Sequence, residues 1–75
     1  MTPRQCRMAR AGLGMSVRDL AERAMVGVMT VSRFENGSNS EALTVKRLQT
    51  SLEAAGAAFL PDEGDGEGVV IRPAP

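Results

Sequence analysis

The sequence predicts an all-α domain: a compact set of four short helices, followed by a short C-terminal β-hairpin or a disordered acidic tail. Three observations predict it. Apolar residues recur every three or four positions between residues 3 and 55, which is the spacing of a helix face. Cap residues and glycine terminators punctuate that pattern. After Gly56 come two short strand-like runs, the apolar "AAFL" with its aromatic and the β-branched "GVVIR", around the acidic, glycine-rich "PDEGDGEG". Residues 1–56 therefore form the helical domain, with helices at about 3–12, 17–24, 28–36 and 43–55, and residues 57–75 form the hairpin or tail.

The first helix starts at Thr2-Pro3-Arg4-Gln5. Thr2 accepts from an orphan amide, Pro3 suits the first helical position and Gln5 completes a capping box. Cys6, Ala9 and Leu13 carry its apolar face, and Gly12 and Gly14 end it. Ser16-Val17-Arg18-Asp19 repeats the start signal, and Leu20, Ala21 and Ala24 face inward. A turn around Met25-Val26-Gly27 leads to a third helix, with Val31 and Phe34 inside, closing at Asn36-Gly37. After the loop "SNSE", Val45, Leu48, Leu52 and Ala55 share one stripe of a fourth helix that Gly56 terminates. Two strands after it would make a hairpin that needs a surface to pack on, because isolated hairpins are marginal in water.

Composition narrows the chemistry. The chain has 75 residues, no His and one Cys, so no zinc ligand set, no imidazole acid–base catalysis and no internal disulfide framework is expected. Cys6 sits on the apolar stripe and reads as core. Asp62, Glu63, Asp65 and Glu67 lack the spacing of a calcium loop, and "GDGEG" lacks the lysine of a phosphate loop. Neither an enzyme nor a cofactor or metal is expected. No apolar run approaches the roughly 18–20 residues that span a bilayer, and the N-terminus has no signal-peptide core, so a cytoplasmic protein without a membrane partner is the expectation. Charge is uneven despite a net of zero. Residues 1–50 carry Arg4, Arg7, Arg10, Arg18, Arg23, Arg33, Lys46 and Arg47 against Asp19, Glu22, Glu35 and Glu41. Residues 51–75 carry Arg72 against Glu53, Asp62, Glu63, Asp65 and Glu67. A basic body with an acidic tail suggests a surface facing a polyanion.

Short second and third helices joined by a tight turn have the geometry of a helix-turn-helix. "SVRDLAERAMVGVMTVSRFENG" resembles the Cro/XRE-type helix-turn-helix family of small bacterial, phage and mobile-element regulators. Ser16, Leu20, Ala21, Ala24, Val26, Thr30, Val31, Ser32, Arg33, Glu35 and Gly37 carry the match. With the flanking helices the resemblance spans about residues 2–56, and it implies a lambda-repressor-like fold. The following "LEAAGAAFLPDEGDGEGVVIR" is similar to the tail of one subgroup, in which a hairpin follows the last helix.

The resemblance implies a transcriptional regulator that lays the third helix in the major groove of an operator, where base edges differ in donor and acceptor pattern. Val28, Met29, Ser32 and Arg33 would face the bases, with Arg33 the strongest candidate for guanine. Ser16, Thr30, Asn36 and Ser38 would contact the backbone. Arg10 and Glu35 occupy positions that pair in this family and are expected to form a structural ion pair. A homodimer would extend the small footprint of one helix-turn-helix.

The departures raise a second function. Met25 replaces the usual turn glycine, Gly27 the usual cap, Val17 a polar phosphate-binding side chain, and Val28 and Met29 the usual polar base readers. Val28 and Met29 suit thymine methyls. Together with Arg33 they equally suit a protein surface. Some small regulators resembling this family sequester a transcriptional activator of the quorum-sensing or conjugative-element type. An antiactivator is therefore the alternative to a DNA-reading repressor.

Overall fold

The computed structural model describes residues 1–72. They form α1 (Pro3–Gly12), α2 (Val17–Ala24), α3 (Val28–Glu35), α4 (Ala42–Ala54), β1 (Ala57–Leu60) and β2 (Gly68–Ile71). Residues 73–75 of the expected hairpin or tail lie outside the described residues. Among the described residues no helix is long and apolar enough to cross a membrane.

Two helices start with reciprocal caps. Thr2 Oγ1 accepts from the Gln5 amide at 3.1 Å, and Gln5 Oε1 accepts from the Thr2 amide at 3.0 Å. Ser16 and Asp19 repeat the exchange at 3.0 and 2.9 Å. Each box satisfies amides that the first turn leaves without helical partners. The backbone hydrogen bond from Ser16 is the main reason that the Asp19 carboxyl titrates below its usual range.

Three helix ends differ by a residue from the sequence expectation. α3 stops at Glu35 because Asn36 (φ −87°, ψ 5°) leaves helical geometry as the C-cap. α4 starts at Ala42 and stops at Ala54, because Glu41 is extended at its N-cap and Ala55 is its C-cap.

The turn between α2 and α3 is strained. Met25 caps α2 in the left-handed region (φ 58°, ψ 44°), and no other non-glycine among the described residues has positive φ. Its side chain is 84% exposed, so packing does not compensate for the backbone geometry. Met25→Gly is therefore expected to raise the unfolding free energy by about 0.5–1 kcal/mol in urea denaturation, once the greater freedom of glycine in the unfolded chain is deducted. A lower urea midpoint would contradict this.

The four helices enclose one core. Cys6, Leu20, Val31, Leu48 and Leu52 are fully buried, with at least one contributed by each helix. Large apolar side chains removed from water in this way contribute roughly 1.5–3 kcal/mol each. Of the two C-terminal alternatives, the chain adopts the hairpin. β1 and β2 pair antiparallel in the register Ala57↔Ile71, Ala58↔Val70, Phe59↔Val69 and Leu60↔Gly68. Ala57 is buried in the helical core, and Phe59, Val69 and Ile71 pack against it. Gln5 Nε2 donates to the carbonyls of Leu60 (2.9 Å) and Gly68 (3.0 Å), at the loop end of the ladder. Docking supplies what a two-stranded ribbon lacks alone.

Candidate functional site

α3 divides cleanly. Val31, Phe34 and Glu35 are buried, while Val28, Met29 and Arg33 are exposed and Thr30 and Ser32 are half-buried. Val28 with Ser32 and Met29 with Arg33 lie four residues apart, hence on one helix face. Exposed Asn36 continues that face, and exposed Ser38 follows it, its amide donating to the Arg33 carbonyl at 3.0 Å. Val28 is 37% and Met29 62% exposed, so the face opens on an apolar edge and continues to a guanidinium. Ser16 stands apart at the start of α2, exposed, with its oxygen accepting from Asp19. Its hydroxyl proton is still available to donate.

The N-cap of α3 is Gly27, which makes no side-chain cap bond. Among the described residues the amides of its first turn therefore have no side-chain acceptor, and they carry the positive end of the helix dipole. Val17, at the position where the resemblance implies a polar phosphate contact, is half-buried and packs against the core.

The far end of α3 is fixed to α1 through Glu35. Arg10 donates twice to its carboxylate, Nη2 to Oε1 at 2.8 Å and Nε to Oε2 at 2.9 Å. This fork-to-fork pair fixes direction as well as distance. Arg10 Nη1 also donates to the Met15 carbonyl at 3.1 Å, which ties in the loop before α2. Cys6 Sγ donates to Glu35 Oε2 at 3.3 Å, and the Arg7 guanidinium donates to the Glu35 carbonyl. Burial, reinforced by the neighbouring Glu35 carboxylate, pushes the Cys6 thiol up to about 12. Cys6 is thus a protonated donor at neutral pH, and its thiolate is too scarce to act as a nucleophile. Every buried side-chain nitrogen and oxygen among the described residues has a partner.

Three contributions escape the sequence reading. Gln5 holds the hairpin as well as capping α1, Arg7 closes the end of α3, and Cys6 is a hydrogen-bond donor as well as a core residue. The sole signal was that Gln5 and Arg7 flank Cys6 on the helix that carries the core stripe. A cleft at the C-terminal end of α3 is lined by Arg4, Arg7, Asn36, Gly37 and Glu67, with Arg4 Nε 3.0 Å from Glu67 Oε2.

A family model described as helix-turn-helix matches residues 7–53, a span from within α1 almost to the end of α4. No curated protein matches the chain.

Proposed function

Because the chain belongs to the Cro/C1-type helix-turn-helix family of DNA-binding regulators, we propose that it is a small cytoplasmic transcriptional regulator that docks α3 in the major groove of an operator. The observation that carries this reading is the exposed guanidinium of Arg33 on a face whose helix is anchored from behind by the Arg10–Glu35 pair. Arg33 is the base reader, bidentate to guanine, and Val28 and Met29 meet thymine methyls. Ser32 bonds to a base edge or phosphate. Thr30, Ser16, Asn36 and Ser38 position the backbone, aided by the uncapped amides at the start of α3. Two copies on one operator enlarge a footprint that is small for a single domain.

A salt-series titration of operator-like and random duplexes tests this. Binding weakens steeply with salt as counterions are released. Arg33→Ala is expected to cost about 1–3 kcal/mol on the operator and to relax base preference at one position. Absence of binding by the wild-type chain at low salt would sink the reading.

The apolar edge of Val28 and Met29 favours a second reading on the same scaffold, in which this face sequesters a transcriptional activator. Val28→Glu and Met29→Glu would then abolish capture of the activator while leaving the fold intact. Capture unchanged by both substitutions would exclude that surface.

A further inference from the structure

We propose that the groove between α2 and α4 receives the acidic hairpin loop of a second copy of this chain. The groove has a volume of ≈ 530 Å³, and Arg23, Met25, Leu43, Lys46 and Arg47 line it without any acidic residue. Met25 and Leu43 are 84% and 61% exposed. None of the three cations makes an ion pair among the described residues, where the pairs are Arg4–Glu67 and Arg10–Glu35.

The hairpin loop presents the opposite pattern. Leu60, 46% exposed, and exposed Pro61 lead into Asp62, Glu63 and Asp65. Glu67 is held by Arg4 of its own chain, which leaves three carboxylates to meet three cations. Asp62 Oδ1 accepts from the amides of Gly64 (2.9 Å) and Gly66 (3.2 Å), so the loop is ordered before it binds. Preordering reduces the entropy lost on docking. Each half also pairs two apolar residues with its charges, Met25 and Leu43 facing Leu60 and Pro61. That apolar content favours a peptide loop over a phosphate backbone, which has nothing to place there. The neutral total, basic to residue 50 and acidic beyond it, makes opposite ends of two copies attract.

The contact is heterologous, since the groove of one copy meets the loop of the next. A single loop in a groove buries little area, so the association is weak, reversible and salt-sensitive. None of the groove-lining residues belongs to α3, so the α3 face stays open and this inference stands apart from the DNA reading.

Sedimentation equilibrium of the full chain across concentration, without DNA, tests it. The mean mass is expected to rise with concentration at low salt and to return to the monomer near ~0.5 M salt. Lys46→Glu/Arg47→Glu and Glu63→Lys/Asp65→Lys each weaken association by about tenfold or more. Mixing the two charge-reversed proteins restores it, which a misfolded variant cannot do. A monomer at every concentration, association indifferent to either reversal, or a mixture that stays monomeric would each overturn the proposal. None of these results bears on operator binding, which the duplex titration reads separately.

Discussion

Arg10→Ala is expected to lower the unfolding free energy by about 3 kcal/mol, near the lower end of the range for removing one partner of a buried ion pair. Glu35 is buried at the end of α3 and takes both of its strongest hydrogen bonds from the Arg10 fork. Without the guanidinium, the Cys6 thiol is the one side-chain donor to that carboxylate left among the described residues, and a neutral thiol does not balance a buried charge. Arg10 is itself partly solvated, which keeps the expected loss from the top of the range. Small domains have only about 5–10 kcal/mol in total, so urea denaturation should show a large fall in midpoint with little change in slope. Arg10→Lys keeps a charge without the fork and should lie between the two. If Arg10→Lys costs as much as Arg10→Ala, the retained charge contributes nothing and the fork geometry carries the pair; if Arg10→Lys costs nothing, charge alone is at issue. If Arg10→Ala costs under about 1 kcal/mol, the pair is no more than a surface ion pair.

That pair also marks how far the sequence could be read. Local chemistry was legible: Thr2 with Gln5 and Ser16 with Asp19 are each three residues apart, and both boxes form. The inward faces were legible for the same reason, since Leu20, Val31, Leu48 and Leu52 follow helical spacing. Arg10 and Glu35 are 25 residues apart, and no local rule joins them, so family resemblance had to suggest the pairing. The outward face of α3, with its apolar edge at Val28 and Met29, was likewise suggested by the family resemblance, while periodicity placed only Val31 and Phe34 inside. At Met25 the sequence shows a side chain where the family usually has the turn glycine, and whether that strains the backbone depends on a φ angle that residue type does not dictate.

Long-range roles were not legible. Gln5 reaches carbonyls 55 and 63 residues away, and its capping box already accounted for it at the sequence level. Docking of the hairpin hid for a similar reason. Its runs of four residues are too short to show which face is buried, and the close approach of Ile71 to Gly12 joins opposite ends of the chain. The groove between α2 and α4 combines Arg23 with Lys46 and Arg47 only after the helices pack.

Gly56→Ala is the substitution expected to undo that docking, at a cost of about 3 kcal/mol from strain and steric conflict together. Gly56 joins α4 to β1 with φ 120°, where a side chain is disfavoured. A Cβ there would meet the Arg72 carbonyl oxygen at 2.5 Å. The obstacle is backbone, and the same two residues are already joined by the Arg72 amide donating to the Gly56 carbonyl at 2.8 Å. The segment following β2 must therefore move away, drawing the adjacent Ile71 from its place beside α1. Gly64→Ala separates the two causes. Gly64 also has positive φ (105°) but nothing within 4 Å of the added carbon, so it should lose only the strain component, about 1 kcal/mol. Equal losses at the two positions would mean that the contact with Arg72 is immaterial. Amide exchange in Gly56→Ala should accelerate at Ala58 and Val70, the hydrogen-bonded pair of the ladder two residues on from Gly56 and Arg72, well beyond α3, because α3 is tied to α1 by Arg10, Arg7 and Cys6. Below its melting temperature the variant should thus retain the exposed face of α3 while losing the hairpin, so its operator affinity measures what α3 does without the acidic loop held in place.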